Sequence, residues 1–171
     1  MTVDVDFSFD EKNFRHYMNG VCTVLHCHHY LGLTTRLAEN FDDIGGTRIL
    51  AESAEDSLRP LLDDYIKQHA IRTPEERLAV GVDFYPVMGM GKMTAAFSGN
   101  GGMVTLHRSH VDQGWMKKWG KHTRPVNHFT RGYIAAMYGA ALGRPARSFR
   151  VRETESIVMG SDKSTFVVEK A

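Results

Sequence analysis

Histidine and cysteine crowd one short stretch of the sequence, Cys22-Thr-Val-Leu-His26-Cys27-His28-His29-Tyr30. Thiol and imidazole are the donors that zinc and other transition metals prefer, and imidazole also acts near neutral pH as acid, base or hydrogen-bond partner. If the stretch is helical, Cys22, His26 and His29 fall at i, i+4 and i+7 and share one stripe. One helix cannot close a metal site alone, so a further ligand must come from another element. His107 and His110, in Leu106-His-Arg-Ser-His110 just after a β-prone run, are the first candidates, with His122 and His128 behind them. A transition metal held by His26, His29, His107 and His110 is therefore one expectation. Nine histidines in 171 residues are a rich supply, yet the chain has neither a His-Glu-x-x-His motif nor a Cys-x-x-Cys pair to fix a metal geometry. Two other readings stand beside it. Imidazoles bordering an apolar face are often neutral core groups, satisfied by carbonyls or by one another, and this applies to His28 as well. They can also orient the polar end of an otherwise apolar ligand. Cys22 or Cys27 beside an imidazole is a possible nucleophile, an option the spacing does not select. Trp115, four residues before Trp119, either closes over a ligand or covers the core.

The elements that must position these groups follow from hydrophobic spacing. Asp4 to Phe9 alternate and suggest a short edge strand. Phe14, Met18, Val21, Leu25 and His28 recur at three and four, predicting a first helix from Glu11 to about Phe41, ended by Asp-Asp-Ile-Gly-Gly. A second helix is expected over Arg48 to His69, kinked or divided at Pro60. Thr73-Pro-Glu-Glu76 opens a third with a capping box and runs to about Val87. Ser98-Gly-Asn-Gly-Gly102 separates two β-prone runs as a hairpin. Residues 109–124 are irregular or a short helix. Asn127 to Leu142 is a helix of small residues ended by Gly143, and Arg147 to Met159 with Ser164 to Val168 form a second hairpin. The class is α+β, a helical layer on an antiparallel sheet of about four or five strands, in a single domain spanning residues 1–171.

Composition is that of an ordinary globular chain, 42% hydrophobic and 24% charged, which argues against disorder. The start, MTVDVDFSFDEKNF, is acidic where a signal peptide is basic and then apolar, and no run is long enough to span a bilayer. A cytoplasmic protein with free thiols and no membrane contact is expected. Charge is uneven: residues 107–152 hold ten Lys and Arg against the single Asp112, whereas residues 1–106 hold nine against fifteen acids. The basic segment faces something anionic, either acidic helices of the same fold or an anionic substrate. No nucleic-acid partner is expected on this pattern, for no binding module or basic helix with interleaved aromatics is present.

Phe129-Thr-Arg-Gly-Tyr-Ile-Ala-Ala-Met-Tyr-Gly-Ala-Ala-Leu-Gly-Arg, followed by Phe149-Arg-Val-Arg-Glu-Thr-Glu-Ser-Ile-Val-Met-Gly-Ser-Asp-Lys-Ser-Thr-Phe-Val-Val, resembles the 4-vinyl reductase domain family over residues 129–168. The resemblance implies a helical layer on an antiparallel sheet enclosing a pocket for an apolar ligand. It also implies a structural zinc held by a glutamate, two hairpin cysteines and a further cysteine near the preceding helix. The matching positions here are Glu153, Ser156, Ser164 and Thr130, and hydroxyls are poor zinc ligands. No structural zinc is expected at the C-terminal hairpin. The function these features point to is binding of a small, partly apolar ligand between the first helix and the sheet, in a sensory, carrier or accessory role. Its site would use His26, His29, Cys22, His107, His110 and Trp115. The alternative is a metal-dependent or acid–base enzyme using the same histidines on a small anionic substrate. A homodimer is expected from the resemblance and from the small-residue face of 132–141, which invites close helix packing.

Overall fold

The computed structural model describes residues 3–171, with the His28 side chain outside the described residues. Three short strands come first: β1 (Phe7–Asp10), β2 (Arg15–Met18) and β3 (Val21–Thr23) form a small antiparallel sheet in sequence order. Asn19 and Gly20 join β2 to β3, with φ of 48° and 76°. Two successive positive φ angles make the two-residue turn whose twist matches antiparallel strands, and Met18 pairs with Val21 across it. The helix expected from Glu11 to Phe41 is thus corrected. Residues 15–23 are strands, and α1 covers only His28–Asn40. The three-and-four spacing misled because Phe14 and Leu25, assigned to a buried face, are 81% and 82% exposed.

A 3-10 turn (Asp42–Ile44) leads into α2 (Gly46–Gln68). Pro60 lies inside α2, which runs through it undivided. Burial of Leu61, Leu62, Tyr65 and Ile66 in the same helix offsets the roughly 3 kcal/mol that an interior proline costs. α3 (Pro74–Val87) has the predicted start: Thr73 Oγ1 accepts the Glu76 amide N–H while the Glu76 carboxylate accepts from Thr73. Then follow β4 (Gly91–Ser98), β5 (Gly101–Ser109), α4 (His110–Trp119), α5 (His128–Leu142), β6 (Phe149–Glu155) and β7 (Ser164–Lys170). The second sheet runs β4-β5-β7-β6, antiparallel throughout. The architecture is the expected α+β, a helical layer on an antiparallel sheet of four strands, with a separate three-stranded sheet beside it.

The core lies between the four-stranded sheet and the helices. Met93, Val104, Leu106, Phe166 and Val168 meet Phe84 and Tyr85 of α3 and Tyr133 to Ala141 of α5. α2 packs along the outer side of α5, where Gly132 leaves no room for a side chain against the Ala51 carbonyl. The small-residue face of α5 is therefore consumed inside the protein, and the basis expected for a dimer on 132–141 falls away. At the other end, the Asp4 amide donates to Tyr65 Oη at 2.9 Å and fastens the N-terminal segment to α2. No described helix is long and apolar enough to cross a membrane.

Candidate functional site

A cleft of about 330 Å³ opens between the three-stranded sheet and the helices. Its walls are Met18 of β2, Leu58 and Leu61 of α2, Val87 at the end of α3, Met88 and Met90 just after it, and Phe129 of α5. β3 and the loop after it form the rim and carry the polar groups, Cys22, Thr23 and His26, with Ser57 from α2. Thioethers and aliphatic side chains make an adaptable apolar wall, and the volume suits a compact ligand. A larger hollow of about 660 Å³ at the turn between α2 and α3 is lined by Arg72, Glu76 and His69 among others. It draws on those two helices and their connection alone, so the smaller cleft, closed by four parts of the fold, is the better enclosed.

The cleft is not where the sequence placed it. It lies beneath the small sheet, and no described side chain of α1 lines it. Cys22 sits on β3, His26 in the loop and His29 in the first turn of α1, so the common stripe does not exist. His26 and His110 do come together, with ring centroids 5.9 Å apart, and the Tyr30 ring lies 5.6 Å from His26. His107 does not join them. β5 turns Leu106 into the core and His107 to the outer face of the sheet, where Thr94 Oγ1 is 3.3 Å from its Nε2. His29 is exposed. Among the described residues no three or more His, Cys, Asp or Glu side chains converge as metal ligands do. Trp115 is 1% exposed in a satellite core with Val126 and Val158, and it lines no part of the cleft.

The basic segment is partly answered by acids of the same fold. Arg124 reaches Glu39 and Asp42, and Arg147 reaches Glu55 and Asp56. His128, at the start of α5, also meets Glu39 and ties α5 to α1. Burial, followed by the nearby Arg131 charge, lowers its pKa.

A second polar centre is fully interior. Asn127, just before α5, donates from its side chain to Asp112 Oδ2 at 2.6 Å and from its backbone to Glu153 Oε2 at 3.3 Å. Ser164 Oγ is 3.4 Å from the same Asp112 oxygen and accepts the Ile157 amide at 3.0 Å. Thr130 Oγ1 bridges Asn127 and the Tyr85 hydroxyl. Asp112 Oδ1 and Glu153 Oε1 are buried without a hydrogen-bond partner. Burial first, and the Asp112 charge second, push the Glu153 carboxyl up to about 7, and burial raises Asp112 as well. Asp112 and Asn127 were not foreseen as parts of this centre. Their signal was local: Ser109 caps α4 by accepting the Asp112 amide N–H at 3.0 Å, a Ser-x-x-Asp start that fixes Asp112 inward.

The chain's course matches the phenol-responsive sensory domain of the transcription activator PoxR, whose crystal structure contains phenol. The TM-score is 0.78 at 15% identity, over 96% of this chain and 84% of that one. It also matches a vinyl-4-reductase family protein from Methanocaldococcus jannaschii with a TM-score of 0.56 at 19% identity, over 87% of this chain and 84% of that one. The chain has a 4-vinyl reductase-like fold. No family model and no curated protein matches its sequence, so the relationship is visible in the course of the backbone. On this 4-vinyl reductase-like fold, the four positions that the resemblance assigns to zinc fall together in the interior centre around Asn127. The donors there do not fit zinc: Glu153, Ser156, Ser164 and Thr130 supply neither thiolate nor imidazole, and two of the hydroxyls are engaged in the hydrogen bonds just described.

Proposed function

We propose that the chain binds a compact, mostly apolar molecule in the cleft beneath the three-stranded sheet, in a sensory, carrier or accessory role. The observation that carries this reading is the cleft itself, with apolar walls from β2, α2, α3 and α5 and a polar rim of Cys22, Thr23, His26 and Ser57. The likeness to a sensory domain crystallised with phenol supports the choice of ligand class. His26 and its neighbour His110 give one polar end, so a ring with one hydroxyl or similar group is the chemistry the cleft favours. Catalysis by a histidine-held metal finds less support, since among the described residues no three His, Cys, Asp or Glu side chains converge and His107 lies on the outer face of the sheet.

Titration of the purified protein with phenol, followed by calorimetry, tests the reading. Saturable binding is expected. Leu58→Trp, which fills the cleft, should abolish it. His26→Gln should weaken it about tenfold, near the upper end of what one hydrogen bond contributes. Neither substitution should lower stability by more than about 1 kcal/mol, because Leu58 is half-buried and His26 exposed. Saturable phenol binding that survives Leu58→Trp would place the ligand elsewhere, and a panel of phenol, toluene and cresols without any binding would reject the function.

A further inference from the structure

Arg124 and Arg147 spend their guanidinium groups on acids of the fold, but Arg131, in the first turn of α5, does not. It is half-buried, yet among the described residues no hydrogen bond or ion pair reaches its guanidinium. The Glu153, Asp42 and Glu39 charges act on it through space, and burial outweighs them and lowers its pKa. A guanidinium has five donors, and one drawn partly out of water without an acceptor loses hydration that nothing replaces.

Arg131 lines a groove of about 390 Å³ between α2, α5 and β6, with an apolar floor of Ala51, Gly132, Ala135, Phe149 and Val151. Arg48, Arg147 and Arg150 stand around it with two carboxylates, Glu52 and Glu55. Both carboxylates are occupied. Arg48 Nη1 donates to the two Glu52 oxygens at 3.0 and 3.1 Å, and Arg147 donates to Glu55 at 2.7 Å and to Asp56 at 2.6 Å. Ala171 lies at one end and, among the described residues, forms no ion pair with these arginines. Arg131 and Arg150 are left over, with Glu169 opposite Arg150 across the β6–β7 pair.

We infer that this groove binds a small carboxylic acid with an apolar body, its carboxylate held by Arg131 and its body lying on Phe149, Val151 and Ala135. The planar guanidinium offers parallel N–H donors that match the two oxygens of a carboxylate. Phosphate fits less well: its further oxygens need more donors than one free fork and a rim arginine supply, and it has no apolar part to cover the floor. The groove shares no residue with the cleft beneath the three-stranded sheet, so this inference stands apart from the ligand proposed there.

Calorimetric titration of the full chain with benzoate tests it, in the native sequence and in Leu58→Trp, where the cleft is filled. Saturable binding of equal affinity is expected in both. Arg131→Gln should weaken it on the order of tenfold to 100-fold, the effect of losing a charged hydrogen-bonded pair. Glu52→Gln removes a lining carboxylate and frees Arg48, so benzoate should bind about threefold more tightly, a gain that misfolding cannot produce. Absence of saturable binding in both chains overturns the inference, as does binding that Arg131→Gln leaves unchanged or that Glu52→Gln fails to tighten. Binding that Leu58→Trp abolishes places the acid in the cleft and overturns it too. Inorganic phosphate that binds more tightly than benzoate assigns the groove to a phosphoryl group and overturns the carboxylic acid.

Discussion

The segment before Gly45 and the segment from α5 to β7 treat apolar side chains in opposite ways. In α5 every residue from Gly132 to Ala141 is buried, enclosed by α2 on one side and the four-stranded sheet on the other. Before Gly45, Phe7, Phe14, Val24, Leu25, Tyr30 and Ile44 stand between 63% and 82% exposed. The three-stranded sheet there has two free edges, β1 and β3, and only a few of its residues, Met18 chief among them, reach the core. The C-terminal segment is complete within one chain. The N-terminal segment carries more apolar surface than the fold covers, and the cleft rim belongs to it. Stability should therefore reside in the first and phenol binding in the second.

The strongest way to break this contrast is at the contact between α2 and α5. Gly132→Ala puts a methyl group into the Ala51 carbonyl and the Ala54 side chain, and backbone must move to admit it. A loss of about 3 kcal/mol is expected, the upper range for overpacking, with the melting temperature falling by about 10 °C. A change within about 0.5 kcal/mol in chemical denaturation would show that the two helices yield, and that the C-terminal segment is not the rigid part.

Next in size is a pH effect confined to the interior polar centre. Glu153 has a folded pKa near 7, above its ordinary 4.5, so the folded state holds its proton more tightly than the unfolded state. Its favourable contribution is complete below pH 4.5 and is lost as pH rises through 7. Glu153→Gln keeps an acceptor for the Asn127 amide and removes the charge. The variant should be more stable than the native chain by roughly 2 kcal/mol at pH 8, within the ceiling set by 1.36 kcal/mol per pKa unit, and should match it near pH 4.5. The difference between the two denaturation curves isolates Glu153 from His128, whose lowered pKa acts in the opposite sense. Equal stability at both pH values would mean that the carboxyl is not buried as the structure has it.

The same contrast explains which elements could be read from the sequence. The Thr73 capping box, the glycine-rich turn at 98–102 and the small-residue run of α5 are local instructions that packing reinforces, and each was legible. The first forty residues were read by hydrophobic period alone, and there the period had no core to answer to. Asn19-Gly20 carried the deciding instruction: both residues adopt positive φ, which starts a hairpin however the apolar residues are spaced. For the site, Cys22 and His26 do line the rim of the proposed cleft, though not along a helical stripe, and spacing could not reveal that β5 turns His107 away. The meeting of Asp112, Asn127 and Glu153 depends on contacts between residues 15 and 26 positions apart, which spacing within one element cannot reveal.

The smallest expected effect lies at that hairpin. At Gly20, φ is +76° and nothing lies within 4 Å of where a Cβ would stand, so Gly20→Ala meets no steric clash and bears only the left-handed backbone cost of about 1 kcal/mol. Because β1, β2 and β3 add little to the core, that cost should appear as local opening and leave the melting temperature almost unchanged. Hydrogen exchange at the amides paired between β2 and β3 should speed up about fivefold, while those of β5 and β7 keep their rates. Phenol affinity should fall with it, since β3 and its loop form the rim of the proposed cleft. Acceleration in both sheets alike would make the small sheet part of one cooperative unit with the core, and the division between a stable C-terminal segment and an open N-terminal one would not hold.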